Sequence, residues 1–279
     1  MYVMRVPYLK MHGTGNLILI VDQRAGNLPP PDKNRLRELG DEDTGPGFDQ
    51  LMWLAAADDG MSVASYRVFN SDGSEVEQCG NGVRCVARYL AGRENIDQEF
   101  SLQSAAGTIA ACANADGLVA VGMGTPVFEP EKIPFIAESP ADTYLLTIGD
   151  EAHQISAVSM GNPHAVLQVP DVSTAPVGEI GPLIEHHERF PELTNVGFMR
   201  IRDRQNIDLR VHERGVGETA ACGTGACAAV VSGRRLGLLD ETVTVQLPGG
   251  QVVVSWRGGE ASAWLKGNAE LINEGMMDL

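Results

Sequence analysis

The chain has 279 residues and 43% hydrophobic content, enough for one large domain or two of ordinary size with buried cores. Its net charge of −16 disfavours nucleic acid as a partner, because phosphate contacts require many Lys and Arg side chains. No apolar run approaches the roughly 20 residues of a membrane span, and residues 1–10 lack the apolar core of a signal peptide. We therefore expect a cytoplasmic protein without a membrane partner.

The sequence predicts many short strands and few helices. Glycine is frequent, at 32 residues, and aromatic residues make up only 5%, which is typical of short strands joined by tight turns. Gly92 and Gly237 are expected to end the second and third predicted helices. In chain order, the predicted elements are a strand at 17–21, a helix at 33–39, a strand at 65–69, a helix at 83–90, strands at 118–121, 144–148, 165–169 and 207–211, a helix at 226–236, and strands at 242–247 and 252–256.

An internal repeat places a Cys-Gly-x-Gly motif before two of these helices. The motif occurs at 79–82 and at 222–225, and the two copies lie 143 residues apart (222 − 79), about half the chain. A polar residue, Asn70 or Glu213, stands nine positions before each motif at the end of an apolar strand. Both halves thus predict a strand, a polar turn, the motif and a helix. We expect a duplicated α/β unit whose two motifs face each other across a cleft.

The motif predicts a cysteine and free backbone amides at a helix N-terminus. Such a terminus carries about half a positive charge, so it favours the thiolate form of a cysteine and binds a carboxylate. Stereoinversion at an α-carbon needs one group that removes the proton and a second group that returns a proton from the opposite face. Cys79 and Cys222 match this requirement without a pyridoxal cofactor, and none of the four lysines lies in a motif that we assign to a Schiff base.

Other interpretations of the cysteines and glycines are weaker. Five cysteines without the density of a disulfide scaffold fit free thiols in a reducing compartment. A zinc site formed by four of them is disfavoured, because the spacings Cys-x5-Cys and Cys-x4-Cys are not the usual close pairs. Cys85, Cys112 and Cys227 are predicted to be small core residues. The segment 223–228 fits the dinucleotide pattern Gly-x-Gly-x-x-Ala, but that pattern is weak alone and does not directly follow a strand here. We predict neither a metal ion nor a cofactor.

At these motifs the sequence resembles the diaminopimelate epimerases, over nearly the whole chain. The resemblance implies an α/β (α+β) fold of two pseudo-symmetric halves, each a bent mixed β-sheet or barrel around a central helix, with the active site between them. It implies one domain of residues 1–124 with a returning strand at 268–279, and a second domain of residues 125–267. The matching segments are KMHGTGN (10–16), DQ (49–50), FNSDGSE (69–75), QCGNGVRC (78–85), GNPH (161–164), NV (195–196) and ERGVGETAACGTG (213–225).

The resemblance also implies an activity and site residues. Cys79 and Cys222 would be the base and acid that epimerise LL-2,6-diaminopimelate to the meso isomer, for lysine and peptidoglycan precursors, in a cytoplasmic homodimer. The implied binding residues fall into three groups: the amides of Gly80, Asn81, Gly223 and Thr224 for the reacting carboxylate; Asn16 and Glu213 for the reacting amine, with Gln50 and His164 in the same region; and Asn70, Asn162, Asn195 and Arg214 for the distal end, Arg214 by a bidentate contact with its carboxylate.

Two departures from the family allow a relaxed or altered substrate preference. Leu17-Ile18 stand where Asp-Phe is usual, and the run at 45–48, preceded by the acidic stretch 41–43, replaces a Gly-Ile-Gly-Ala run. The alternatives are therefore a proline or hydroxyproline racemase, although these typically carry His at the position of Asn81, or a histidine racemase. A third alternative, a non-catalytic amino-acid-binding protein, is disfavoured by the presence of both cysteines, because binding alone would need neither thiol. A cysteine hydrolase would need one thiol with a histidine base.

Overall fold

The computed structural model describes residues 4–76, 79–105, 107–113 and 116–279. The chain divides into two compact units: unit 1 comprises Met1–Val121 and Lys266–Leu279, and unit 2 comprises Gly122–Leu265. The boundaries drawn from the sequence lie a few residues further along the chain, at 124/125 and 267/268. No helix in the described residues is long and apolar enough to cross a membrane.

Short strands dominate both units, as the composition predicts. The helices are α1 (Lys33–Gly40), α2 (Gly80–Glu94), α3 (Val177–Glu185) and α4 (Gly223–Arg235), with a short 3-10 turn at Pro130–Lys132. The strands are β1 (Arg5–Gly13), β2 (Asn16–Asp22), β3 (Gln50–Ala55), β4 (Ala64–Asn70), β5 (Glu75–Val76), β6 (Phe100–Ser104), β7 (Gly107–Ala113), β8 (Val119–Gly122), β9 (Tyr144–Ile148), β10 (Glu151–Ser159), β11 (Pro163–Gln168), β12 (Asn195–Asp203), β13 (Asn206–Glu213), β14 (Gly217–Thr219), β15 (Thr242–Leu247), β16 (Gly250–Ser255), β17 (Trp264–Gly267) and β18 (Glu270–Asp278).

Unit 1 is a mixed sheet in the order β18-β1-β2-β3-β4-β6-β7-β8, with β5 paired to β4. The β2–β3 and β4–β6 pairs are parallel and the others are antiparallel. The C-terminal strand β18 returns to pair with β1. Helix α2 packs against β1, β2, β3 and β7 and is the central helix of this unit.

Unit 2 repeats this arrangement. Its sheet has the order β9-β10-β11-β12-β13-β15-β16, with β14 paired to β13, and the β11–β12 and β13–β15 pairs are parallel. Helix α4 packs against β10, β11, β12, β13 and β16. Elements β1 to β5, α2, β6 and β7 therefore correspond, in order and pairing, to β10 to β14, α4, β15 and β16. The predicted duplication and mixed fold class are confirmed.

Both faces of the central strands β2, β3 and β11 are buried, which explains their continuous apolar runs. In β2, Leu19 and Val21 pack in a cluster with Leu36 and Leu39 of α1. Their neighbours Ile18 and Ile20 are also fully buried, on the opposite face, because successive strand side chains alternate. In unit 2, a corresponding cluster includes Val177 and Ile184 of α3. Helix α4 also packs against the strands of this sheet.

The helix ends show where local signals succeeded and failed. Gly237 follows α4 with φ +73°, as predicted for a glycine stop. Gly92, by contrast, lies inside α2, and the prediction that it ends the helix is wrong. Asn95 caps α2 instead, with φ 55°, a left-handed conformation that asparagine tolerates. Helix α3 was not predicted, because Gly181 and Pro182 are poor helix formers.

Candidate active site

Cys79 occupies the N-cap position of α2, directly before the first helical residue. Its side chain is half-buried, and its Sγ accepts a hydrogen bond from the backbone N–H of Gly82 at 3.3 Å. A Cβ on Gly82 would lie 2.5 Å from Sδ of Met52, so only glycine lets the helix start approach β3 this closely. The amides of Gly80 and Asn81 lie in the first turn, where N–H groups have no partner within the helix.

Three polar side chains of unit 1 accompany Cys79 in the Cys79 half-site. Nδ2 of Asn16 points at the Cys79 sulfur from 4.0 Å, at the limit of a hydrogen bond to sulfur. Gln50 donates from Nε2 to Oδ1 of Asn70 at 3.1 Å, and Asn70 donates to Oγ of Ser74 at 3.0 Å. Within the described residues, the buried oxygens Asn16 Oδ1 and Gln50 Oε1 have no hydrogen-bond donor. These oxygens are acceptors available to a ligand.

Cys222 occupies the same N-cap position on α4 but in a different chemical setting. It is 4% exposed and donates a hydrogen bond from Sγ to Oε2 of Glu213 at 3.1 Å. Burial raises the pKa of the Cys222 thiol well above its usual value, and the Glu213 carboxylate raises it further. The lowering of the pKa that a helix N-terminus produces by itself is thus reversed at Cys222, because burial and the adjacent carboxylate outweigh the helix dipole.

The remaining contacts of this cysteine are the backbone N–H of Gly225, which lowers its pKa without offsetting the burial, and short polar side chains. Oγ1 of Thr224 lies 3.6 Å from the sulfur, and Thr219 donates to Oε1 of Glu213. Both carboxylate oxygens of Glu213 are thus engaged, one by Thr219 and one by Cys222. Gly223 and Thr224 begin α4, so their amides lie in its first turn, as those of Gly80 and Asn81 do in α2.

The other predicted residues of unit 2 lie close together beside β11 and β12, and with Cys222, Glu213 and the two amides they form the Cys222 half-site. His164 is buried, with Nε2 2.9 Å from Oδ1 of Asn162, and burial lowers its pKa to about 3. It is therefore neutral. Asn195 donates from Nδ2 to the carbonyl of Pro163 and accepts the backbone N–H of Arg214 at 3.0 Å. The Arg214 side chain is exposed and donates from Nη1 to the carbonyl of Glu192.

Strand register reveals further equivalent pairs that the sequence did not. In the parallel pairs, Ile18 is opposite Gln50 and His164 is opposite Asn195, so Gln50 and Asn195 are equivalent. Counting two residues back from Ile18 and from His164 makes Asn16 equivalent to Asn162, and each follows a glycine with positive φ. Asn70 and Glu213 end the equivalent strands β4 and β13. The two units therefore carry polar side chains at the same three positions, and one of the three contacts the cysteine in each unit: Asn16 for Cys79 and Glu213 for Cys222.

The other cysteines have different environments. Cys85 and Cys227 are fully buried, which confirms their prediction as core residues. Burial raises the pKa of Cys85 to about 12. Cys112 is only half-buried on β7, so its prediction as a core residue is wrong. Among the described residues, no group of three or more His, Cys, Asp or Glu side chains is placed to hold a metal ion.

The sequence analysis did not identify two buried charged residues near the site, and one motif residue lies outside the described part of the chain. Arg84 and Glu185 are both buried. Arg84 follows Cys79 by five positions, and Glu185 contacts His212, the neighbour of Glu213, at 2.7 Å. The sequence does not show that these charged side chains are buried, because their burial depends on which face of the helix packs against the sheet. Gln78, part of the motif around Cys79, lies outside the described residues.

Comparison with known proteins identifies the family. The family model described as diaminopimelate epimerase matches residues 8–129 and 156–272. A diaminopimelate epimerase from Pseudomonas entomophila (strain L48) is 46% identical over 279 residues, covering 99% of this chain and 100% of the relative. One from Thioalkalivibrio sulfidiphilus (strain HL-EbGR7) is 48% identical over 281 residues, with the same coverage.

The solved structures agree on the fold. A hydroxyproline epimerase from Agrobacterium vitis has a TM-score of 0.72 at 17% identity, covering 100% of this chain and 93% of that chain. A probable proline racemase from Agrobacterium radiobacter K84 has a TM-score of 0.69 at 15% identity, covering 97% and 92%. At such identities the likeness concerns the fold alone. The family match and the identities of 46% and 48% over the whole chain show that this chain belongs to the diaminopimelate epimerase family.

Proposed function

We propose that this protein epimerises LL-2,6-diaminopimelate to the meso isomer, with Cys79 and Cys222 as the two acid–base groups and without a cofactor. The family's reaction is the epimerisation of diaminopimelate. The observation that carries the mechanism is that both cysteines cap equivalent helices but differ in surroundings: half-buried Cys79 accepts the N–H of Gly82, whereas buried Cys222 also donates to the Glu213 carboxylate.

We propose a resting protonation state for each sulfur from its surroundings. We assign the thiolate to Cys79, because an N–H stabilises its anion, whereas Cys222 donates to a carboxylate. Cys222 keeps its proton, because its pKa is raised by burial and by Glu213. Cys79 then removes the α-proton of one stereoisomer while Cys222 returns its own proton to the opposite face. After turnover the roles are exchanged, which makes the reaction reversible.

The helix N-termini lower the barrier to this proton transfer. Removing the α-proton spreads negative charge onto the adjacent carboxylate. We assign the amides of Gly80, Asn81, Gly223 and Thr224 to that carboxylate, since first-turn N–H groups are oriented donors that require no reorganisation. This stabilisation acts mainly on the transition state and so raises kcat.

The buried acceptors beside Cys79 fit the reacting ammonium group. Asn16 Oδ1 and Gln50 Oε1 lack a donor among the described residues, and an ammonium group supplies three. Glu213 completes this set as the negatively charged partner. His164 is neutral, so its assigned part is to orient Asn162 rather than to exchange protons.

The distal amino-acid end is assigned to Asn70, Asn162, Asn195 and Arg214. Arg214 uses Nη1 for the carbonyl of Glu192, so in the described structure its other donors remain for a carboxylate. Asn195 holds the Arg214 backbone and keeps one amide hydrogen for substrate. The proposal further includes a cytoplasmic homodimer, which the resemblance to the family implies.

Isotope exchange during turnover tests this proposal. The protein is incubated with LL-diaminopimelate in deuterated water, and we expect deuterium at the α-carbon together with the meso isomer. L-proline and L-histidine serve as control substrates and are expected to remain unlabelled. Labelling of either control at the rate of diaminopimelate, or no reaction with diaminopimelate, would reject the assigned substrate.

A further inference from the structure

Arg84 joins three segments that are distant in sequence around the start of α2. The residue is fully buried. Its Nη2 donates to Oγ1 of Thr14 at 2.8 Å and to Oδ1 of Asn81 at 2.9 Å, and its Nε donates to the carbonyl of Asn268 at 3.4 Å. The guanidinium group therefore contacts the β1–β2 turn, the first turn of α2 and the residues that lead into β18.

The contacts of Arg84 fix the path of the chain towards Asn16. Thr14 has φ 56° and Gly15 has φ 83°, so the β1–β2 turn uses a left-handed conformation that a non-glycine residue adopts only when its surroundings hold it. Arg84 and the side chain of Asn268 hold Thr14 from two sides. Asn16 follows two residues later and points at the Cys79 sulfur.

Helix geometry also brings the charge of Arg84 towards Cys79. Side chains of an α-helix lean towards its N-terminus, and the contacts with Asn81 and Thr14 show that Arg84 follows this rule. Tyr66 on β4 and Cys85 on α2 lie within electrostatic reach of Cys79, and burial raises the pKa of both. Both are therefore neutral near pH 7, whereas Arg84 is charged.

We propose that Arg84 is a positioning residue for Cys79: it holds Asn16 and the first turn of α2 in one arrangement and favours the anionic sulfur. This proposal rests on the proposed function only for its effect on turnover. The matching position of unit 2, five residues after Cys222, is the buried Cys227 instead of an arginine. The two helix starts thus carry charges of opposite sign: Arg84 contacts the first turn of α2 at Asn81, and Glu213 contacts Cys222.

The test measures the alkylation of Cys79 by iodoacetamide as a function of pH, with peptide mass spectrometry to separate the cysteines. In Arg84→Met, which keeps the apolar stem and removes the charge, we expect the midpoint to move up by about one pH unit. Arg84→Lys keeps the charge and should keep the midpoint within a few tenths of a unit, but lose kcat by about tenfold. Arg88→Met removes a charge from the exposed side of the same helix and is the control.

The outcomes are distinguishable. An unchanged midpoint and an unchanged kcat in folded Arg84→Met would overturn the proposal. If that variant does not fold, Arg84→Lys and Thr14→Val test the proposal instead. A loss of kcat by about tenfold at a near-native melting temperature supports the positioning role of Arg84, and wild-type kcat in both variants overturns it. Alkylation requires no substrate. A shifted midpoint in a protein that does not epimerise diaminopimelate would therefore reject the proposed function and retain the effect of Arg84 on Cys79.

Discussion

The Cys79 and Cys222 half-sites share a backbone and differ in chemistry. In both, a cysteine caps a central helix after a strand that ends in a polar residue. Cys79 is half-buried and accepts an N–H, and the strand-end residue is the neutral Asn70. Cys222 is buried and donates to the charged Glu213. Under the proposed mechanism, a duplicated unit supplies both a base and an acid because different side chains surround the same repeated helix start.

Removing either sulfur should have the largest effect and should separate the two roles. Cys79→Ala and Cys222→Ala are each expected to lower epimerisation by about 10²–10⁴-fold, because each removes one proton-transfer group. Cys222→Ala leaves the Cys79 thiolate, so it should still exchange the α-proton of one stereoisomer with deuterated water. Cys79→Ala should lose this exchange, because Cys222 rests protonated.

Cys112→Ala is the matched control, since Cys112 is half-buried outside both half-sites. Its activity should equal that of the wild type. Full epimerisation by either of the other two variants would contradict the two-base mechanism. Equal α-proton exchange in both would contradict the assigned resting states.

Glu213→Gln tests the chemical origin of the difference between the half-sites. The substitution removes the negative charge that raises the pKa of Cys222, so alkylation of Cys222 should begin at lower pH. Turnover should fall by about 10²-fold, because the neutral amide no longer holds the proton on Cys222 or balances the substrate ammonium. Asn70→Ala, at the equivalent position of unit 1, should leave the alkylation profile of Cys222 unchanged. If the pH dependence of Cys222 alkylation is the same in Glu213→Gln as in the wild type, the carboxylate does not raise the pKa of Cys222.

The smallest expected effect is that of the buried His164 on the pH dependence of folding stability. Its pKa is lowered to about 3 in the folded protein, against about 6.5 when unfolded, so the unfolded chain binds the extra proton between these values. His164 therefore lowers stability as pH falls below about 6.5, by up to about 1.4 kcal/mol per pH unit. Denaturant unfolding of His164→Gln should show a correspondingly weaker loss between pH 6 and pH 4. His186→Gln, at an exposed position, is the control, and parallel curves for His164→Gln and the wild type would contradict the buried neutral histidine.

Local patterns predicted the elements that carry strong apolar runs. The strands at 144–148 and 242–247 have the predicted bounds. Both cysteine helices begin three residues before the predicted start; α2 ends four residues later than predicted and α4 one residue earlier. Strand β1 was missed because Pro7 and Lys10 interrupt its pattern, and β18 because most of its side chains are exposed. Such strands form because a neighbouring strand pairs with them, which no short window of sequence contains.

The roles assigned to individual site residues stay predictions, with the two cysteines resting on the firmest sequence signal. The repeated motif, its distance of half a chain and the polar residue nine positions earlier are visible in the sequence because they are set by local backbone requirements. Which sulfur keeps its proton is decided by the tertiary structure, because burial and charge depend on residues brought together from elsewhere. Glu213 reaches Cys222 through the end of β13, and Arg84 gathers Thr14 and Asn268 around the start of α2.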